Sequence, residues 1–251
     1  MGPSAFLFVA LLLAAEATPL FAQSGKAELF GTVRDRTGLP LPGAQIEIQE
    51  KATGAAYRSA SGLAGDYHFF ALPTGAYQMV VQKEGFQTLR REGVLLWVAD
   101  RVLVDLVLDV GDLSQVIDVV ASAPLLQTAK GTVSFVADQQ KVATLPLDGR
   151  NFIPLIALSP GVMLPPGSVF PRINGSRPRV SEYLYDGVSV LEPEPGQVAF
   201  YPVIDAIQEF RVEVNSYSAE YGRSNGGVIL VNQKSGTNEF HGTLFEFFRV
   251  L

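Results

Sequence analysis

Residues 204–238, IDAIQEFRVEVNSYSAEYGRSNGGVILVNQKSGTN, have the pattern of two strands joined by a glycine-rich turn. In the first half, apolar and charged side chains alternate with the period of a half-buried strand (Phe210, Val212 and Val214 against Glu209, Arg211 and Glu213). The pair Gly226-Gly227 indicates a backbone that no β-carbon would tolerate, or a close approach to another wall. The aliphatic run Val228–Val231 follows and predicts the second strand.

The composition favours many short strands over a helical bundle. The chain has 251 residues, 47% of them hydrophobic and 18% charged, with 24 Gly and 16 Pro. A net charge of -6 argues against a nucleic-acid partner. The absence of Cys excludes a disulfide framework and a thiolate metal site. No motif of a zinc protease, a serine hydrolase or a P-loop occurs, so we expect a protein without catalytic activity or cofactor.

The first 22 residues predict a secretory signal peptide. A continuous apolar run, Ala5–Ala15, has the length of a signal core and is too short to span a bilayer. Cleavage is expected after Ala22, with Ala17 as the alternative. No Lys or Arg precedes Lys26, so a misassigned start codon remains an alternative explanation of this segment.

Residues 24–110 predict a β-sandwich, because short alternating strands are separated by turn signals. The alternating apolar positions include Leu29 and Val33, Ile46 and Ile48, Tyr67 and Phe69, Met79 and Val81, and Val102 to Leu108. Gly-x-Tyr-x-Phe at residues 65–69 supplies core aromatic side chains, and Leu-Pro-x-Gly at 72–75 supplies a turn. We therefore expect Tyr67 and Phe69 in the core.

The same residues resemble the carboxypeptidase regulatory-like domain family. The resemblance lies in three motifs: Gly31-x-Val33-x-Asp35-x-x-Gly38, Pro42-Gly43-Ala44, and Gly65-x-Tyr67-x-Phe69-x-x-Leu72-Pro73-x-Gly75-x-Tyr77 followed by Gly85-Phe86. It implies a transthyretin-like, seven-stranded sandwich with a carbohydrate-binding-like fold. Such domains are not catalytic.

Residues 131–238 resemble the plug domain of TonB-dependent outer-membrane receptors, which implies a mixed α+β fold. The matching positions are Asp148, Gly149, Arg150 and Asn151; Asn174, Gly175 and Arg177; Asp186 and Gly187; Glu209 and Arg211; and Tyr221, Gly222, Gly226 and Gly227. Residues 151–158 predict a short helix with Pro154 in its first turn. The charged face of the strand at Glu209–Glu213 is expected either to pair with the wall of a barrel or to be solvated.

The apolar segment Val116, Ile117, Asp118, Val119 and Val120 lies in a boundary region, residues 111–130. In receptors of the family, a TonB box lies between an amino-terminal extension and the plug and pairs with TonB as an added strand. This segment is therefore a candidate TonB box, and the carboxy-terminal domain of TonB is the implied partner. It could equally be the last strand of the sandwich, because a short β-branched run fits both.

Residues 239–251 are rich in Phe and resemble the first membrane strand of the receptor barrel. The resemblance implies the amino-terminal part of a receptor in the cell outer membrane, whose barrel is missing here and whose sandwich and plug lie on the periplasmic side. Such a receptor takes up a ligand (a glycan, a peptide or a chelate) with proton-motive force relayed by TonB. The alternative is a secreted, non-catalytic carbohydrate-binding or adhesion module.

Overall fold

The computed structural model describes residues 25–112, 116–120, 131–144, 151–192, 194, 196–222, 224–240 and 242. The described chain is mainly β, as predicted, and forms two units, a sandwich and a second mixed unit. The predicted signal peptide lies outside the described residues. So does the predicted barrel strand, apart from residues 239, 240 and 242.

The sandwich consists of two sheets. The first contains β1 (Ala27–Asp35), β4 (Asp66–Leu72), β7 (Arg101–Leu103) and β8 (Leu106–Leu108), and the second contains β2 (Gln45–Glu50), β3 (Ala56–Ala60), β5 (Gly75–Gln82), β6 (Thr88–Leu96) and β9 (Val116–Val120). Alternate side chains of both sheets fill one core, which includes Tyr67 and Phe69 as predicted. A β-sandwich is confirmed, although its described residues form nine strands rather than seven.

One source of the additional strands is a close approach at Gly31. A β-carbon at Gly31 would lie 2.0 Å from the carbonyl oxygen of Val104. That carbonyl accepts a hydrogen bond of 2.6 Å from the Tyr67 hydroxyl, and the Val104 amide donates to the Phe30 carbonyl at 2.8 Å. The chain therefore leaves the ladder at Val104 and resumes it at Leu106, which divides one predicted strand into β7 and β8, both parallel to β1.

The second unit is built on a five-stranded sheet in the order β10-β15-β16-β13-β14. Its strands are β10 (Val133–Ala137), β13 (Glu182–Tyr185), β14 (Val188–Ser189), β15 (Ile207–Asn215) and β16 (Val228–Gln233). A two-stranded ribbon, β11 (Val162–Met163) and β12 (Arg172–Ile173), and two helices, α1 (Gln139–Thr144) and α2 (Ile153–Ile156), complete the unit. The glycine-rich segment of the opening motif joins β15 to β16, as predicted.

The apolar face of β15 lies in the core of this unit. Phe210, Val212 and Val214 pack with Ile229 and Val231 of β16, with tyrosines of β13 and with residues of α2. The predicted helix over residues 151–158 is only one turn, α2, with Pro154 in that turn as predicted. It ends early because turn-type bonds follow at Ala157 and Leu158. None of the described helices has the length and apolar character needed to cross a membrane.

Candidate functional site

The charged face of β15 is buried against the sandwich. The guanidinium group of Arg211 forms an ion pair with the carboxylate of Asp100, which lies in the loop between β6 and β7. The exposed fraction is 1% for Arg211, Glu209 and Glu213 and 2% for Asp100. Both faces of β15 are therefore buried, so the prediction of a half-buried strand is wrong. A charge can be held in such a place only when it is paired or hydrogen-bonded.

The loop Trp97–Asp100, called the docking loop below, is held in place by its own hydrogen bonds. The second carboxylate oxygen of Asp100 accepts from the Trp97 amide at 3.0 Å, and the Asp100 amide donates to the Trp97 carbonyl at 3.1 Å. Ala99 has a φ of 54°, a conformation that is uncommon for residues with a β-carbon. The Asp100 carbonyl accepts from the Glu28 amide of β1 at 2.7 Å. Asp100 thus closes the loop and pairs with Arg211 at the same time.

Glu209 makes the second polar contact of β15 with the docking loop. Its Oε1 atom accepts a hydrogen bond from the Val98 amide at 2.6 Å. The pKa of Glu209 is raised from 4.5 to about 7, chiefly by burial. The nearby charge of Asp100 also raises this pKa, while the Val98 amide, Arg211 and the Thr74 hydroxyl lower it. At neutral pH this carboxyl group is therefore divided between its neutral and ionised forms.

An apolar cluster surrounds these polar contacts. Val98 and Ala99 of the docking loop pack on the five-stranded sheet of the second unit, on the same face as Arg211. Their partners are Leu184, Val228 and Leu230, with Tyr221 in the same cluster. A second contact lies farther along the chain, where the Asn238 side chain donates to the Thr53 carbonyl at 2.7 Å. The expectation that the charges of β15 are solvated is therefore wrong for the described residues. Glu209 and Arg211 bind the docking loop of the sandwich.

Two of the predicted plug motifs form tight turns of the second unit. Asn174 and Gly175 both have positive φ (49° and 75°), and Asp186 and Gly187 do as well (48° and 84°), which is the pattern of a type I′ turn. The Asn174 side chain donates to the Val214 carbonyl at 2.6 Å, and the Asp186 carboxylate accepts from the Gln233 amide at 2.9 Å. Each motif therefore fastens a turn to β15 or β16.

The glycine pair lies where the sequence predicts a close approach. A β-carbon at Gly226 would lie 2.8–2.9 Å from side-chain atoms of Ser176, Ser181 and Val180. Gly227 has a φ of 101°, and a β-carbon there would lie 2.8 Å from the Glu213 carbonyl oxygen. In the same connection Tyr221 is buried, and burial raises the pKa of its hydroxyl, whereas Gly222 is exposed.

The remaining plug-motif residues do not join this contact. Asn151 accepts a hydrogen bond from the Ile153 amide at 3.0 Å and so lies at the start of α2, and Arg177 is exposed. Asp148, Gly149 and Arg150 lie outside the described residues. Most motif residues are thus turn and contact positions of the second unit. In the described part of the chain no group of three or more His, Asp or Glu side chains could hold a metal ion.

The candidate TonB box is a strand of the sandwich. Residues Val116–Val120 form β9, which pairs in parallel with residues 88–92 of β6, with Ile117 opposite Leu89 and Asp118 opposite Arg90. Within the described chain β9 is the outermost strand of its sheet, in the order β3-β2-β5-β6-β9. One of the two predicted alternatives, a last strand of the sandwich, is therefore observed. A strand at a sheet edge presents backbone N–H and C=O groups to which an added strand can form hydrogen bonds.

The sequence does not predict the docking loop as part of a site. Its four residues follow β6 without a recognisable motif, and their partners lie 111 residues later in the chain. The only signal is local: Asp100 is a charged residue that directly follows the apolar pair Val98-Ala99. The role of Asp100 in the contact between the units can be recognised only when its partner, Arg211, is known.

Two comparisons identify relatives of the chain. The family model of the carboxypeptidase regulatory-like domain matches residues 28–109. The TonB-dependent transporter Oar of Myxococcus xanthus is 31% identical over 189 residues, which is 72% of this chain and 18% of that protein. The chain therefore spans less than a fifth of the curated relative. The aligned length is more than twice that of the regulatory-like domain, so the similarity extends into the second unit.

Solved structures resemble the chain over about a third of its length. Hydroxyquinol 1,2-dioxygenase from Pseudomonas putida DLL-E4 is 12% identical with a TM-score of 0.29 and covers 35% of this chain and 57% of its own. A carbohydrate-binding protein from Bacteroides uniformis, described as putative, is 15% identical with a TM-score of 0.30 and covers 34% and 42%. Likenesses this distant support no conclusion about activity. With its regulatory-like domain and its similarity to Oar beyond that domain, the chain belongs to the TonB-dependent receptor family.

Proposed function

We propose that the chain is the amino-terminal part of a TonB-dependent outer-membrane receptor, with its sandwich and plug on the periplasmic side. In this proposal β9, the last strand of the sandwich, is the TonB box and the second unit is the plug. The transporter relative supports this role, because the similarity includes residues of both units. For the same reason a receptor is favoured over a secreted carbohydrate-binding module, which would need only the sandwich. The proposed protein has no catalytic activity. It takes up a ligand through its barrel, gated by the plug and driven through TonB.

The position of β9 is the main structural support for this function. It lies in the chain between the two units, and in the fold it is the outer strand of a sheet. An added strand forms hydrogen bonds with one edge of an existing strand. β9 pairs with β6 along one edge, and no strand of the described chain pairs with its other edge. Force applied by TonB to residues 116–120 would reach both the sandwich, through β6, and the plug, through the chain that follows.

Site-specific crosslinking tests the proposal. A photocrosslinker at Ile117 of the full chain, mixed with the carboxy-terminal domain of TonB, is expected to capture that domain. The matched control carries the same group at Leu63, which is 93% exposed and lies in a turn of the sandwich, and is expected to capture none. Equal capture at the two positions, or no capture at Ile117, would refute the assignment of the TonB box.

A further inference from the structure

The contact between the docking loop and β15 places two buried carboxyl groups, Asp100 and Glu209, beside one arginine, Arg211. Arg211 is committed to Asp100, and both side chains are almost fully buried. Glu209 lies two positions before Arg211 on the same face of β15, with 1% of its surface exposed. When Glu209 ionises, its charge is added to that of Asp100 beside one guanidinium group. Burial of a second carboxylate there costs free energy that a neutral carboxyl group avoids.

We propose that this contact is a proton-linked latch: the docked arrangement of the two units holds Glu209 in its neutral form, and ionisation of Glu209 releases the docking loop from β15. A neutral carboxyl group still offers its carbonyl oxygen to the Val98 amide, so protonation keeps that hydrogen bond. Release of the loop brings Glu209 to water, where the ionised form is stable. The latch rests on the contacts between the two units and does not depend on the proposed transport function.

The groups that act on Glu209 are few. Arg211 on β15 favours the ionised form, and Asp100 on the docking loop opposes it. The Thr74 hydroxyl and the Val98 amide favour the ionised form through hydrogen bonds, and neither of them titrates. Asn232, which lies opposite Glu209 on β16, carries no charge. Glu213 lies on the same face of β15, two positions beyond Arg211. Desolvation is the largest effect on Glu209.

The direction of the pH dependence follows from linkage. The pKa of Glu209 is about 7 in the docked state and returns towards 4.5 when the side chain is exposed to water. Between these values the docked state binds more protons than the released state. The stability of docking is therefore greatest below about pH 4.5, falls as the pH rises to about 7, and stays low above it. We expect docking to weaken by roughly a hundredfold between pH 5 and pH 8.

The single tryptophan of the chain, Trp97, lies in the docking loop and reports the state of the latch. In the full chain, the Trp97 emission is expected to change between pH 5 and pH 8.5, with a midpoint between the released-state pKa of 4.5 and the docked-state pKa of about 7. Glu209→Gln keeps an acceptor for the Val98 amide and cannot ionise, so its emission is expected to stay at the acid value throughout. Glu47→Gln, a change at an exposed ion pair with Arg58 on the surface of the sandwich, is the control and is expected to keep the transition.

Three results would overturn the latch. The first is a wild-type emission that does not change over this range. The second is a transition that persists in Glu209→Gln, and the third is a transition that disappears in His68→Gln, because that histidine would then be the titrating group. Hydrogen exchange of the Val98 amide gives an independent measurement on the wild-type chain. Its protection is expected to fall by at least tenfold between pH 5 and pH 8, after correction for intrinsic exchange, and constant protection would also refute the latch.

Discussion

At the scale of single residues, the glycine pair of the opening motif has a packing role. Gly227 combines a φ of 101° with backbone contact to β15, since a β-carbon would meet the Glu213 carbonyl oxygen. No side chain can relieve a clash with backbone, so the strands themselves would have to separate. The sequence predicts the need for glycine here but not the partner, because the partner lies on another strand.

Gly227→Ala is accordingly expected to lower the free energy of unfolding of the second unit by about 2 kcal/mol or more, through the strained backbone and the clash. The matched control is Gly236→Ala, because a β-carbon at Gly236 would meet no atom within 4 Å. That change is expected to alter the free energy of unfolding by about 0.5 kcal/mol or less. Urea unfolding followed by circular dichroism measures both, and equal effects of the two substitutions would contradict this role.

The charges of β15 show what sequence alone cannot decide at this scale. The alternation of Phe210, Val212 and Val214 with charged residues predicts the strand and its apolar face correctly. It also suggests that the other face is solvated or held by a barrel wall, whereas Glu209 and Arg211 are held by the docking loop. A period-two pattern reports the polarity of a face. It does not report which distant segment covers that face.

At the scale of elements, the sandwich was the most predictable part of the chain. Its strands alternate clearly and its turns carry Gly and Pro, so local sequence and global fold agree. The division of the predicted strand over residues 102–108 into β7 and β8 is not predictable from local sequence. It depends on the approach of Val104 to Gly31, which is more than 70 residues away in the chain. The helix α2 is shorter than the predicted helix because turn-type hydrogen bonds at Ala157 and Leu158 end it after one turn.

The pairing of β9 with β6 leads to a prediction about TonB. Arg90→Cys and Asp118→Cys, at directly opposite positions of the two strands, are expected to form a disulfide that holds β9 in the sheet. The wild-type chain has no cysteine, so no other pairing competes. Among the described residues, no strand pairs with the edge of β9 that faces away from β6, and the disulfide leaves that edge unchanged. The oxidised variant is therefore expected to bind the TonB domain with an affinity within about threefold of the reduced one, measured by calorimetry.

The control for this lock is Glu47→Cys with Arg58→Cys, an opposite pair on β2 and β3 that lies away from β9 in the sheet. Its disulfide is expected to leave TonB binding unchanged. Loss of binding only in the oxidised β6–β9 lock would contradict addition at the free edge. TonB would then use the edge of β9 that faces β6.

At the scale of the whole molecule, contacts between the described parts of the two units include the docking loop on β15, the Thr74 hydroxyl on Glu209 and the Asn238 side chain on Thr53. The candidate TonB box lies between the units in the chain and is a strand of the first one. In the proposed receptor, the sandwich therefore contacts both the strand that receives force and the plug that must move. The latch at Glu209 sets how firmly the plug is held by the sandwich.

The most direct test of the TonB-box assignment is the affinity of the TonB carboxy-terminal domain for the full chain with and without a β9 that can form a strand. Ile117→Pro combined with Asp118→Pro removes backbone donors on both edges of the strand, since consecutive residues of a strand point their amides to opposite sides. The control is Leu63→Pro in an exposed turn. The double variant is expected to bind at least tenfold more weakly than the wild type, while the control binds normally. Equal affinity of all three chains would contradict the assignment of residues 116–120 as the TonB box.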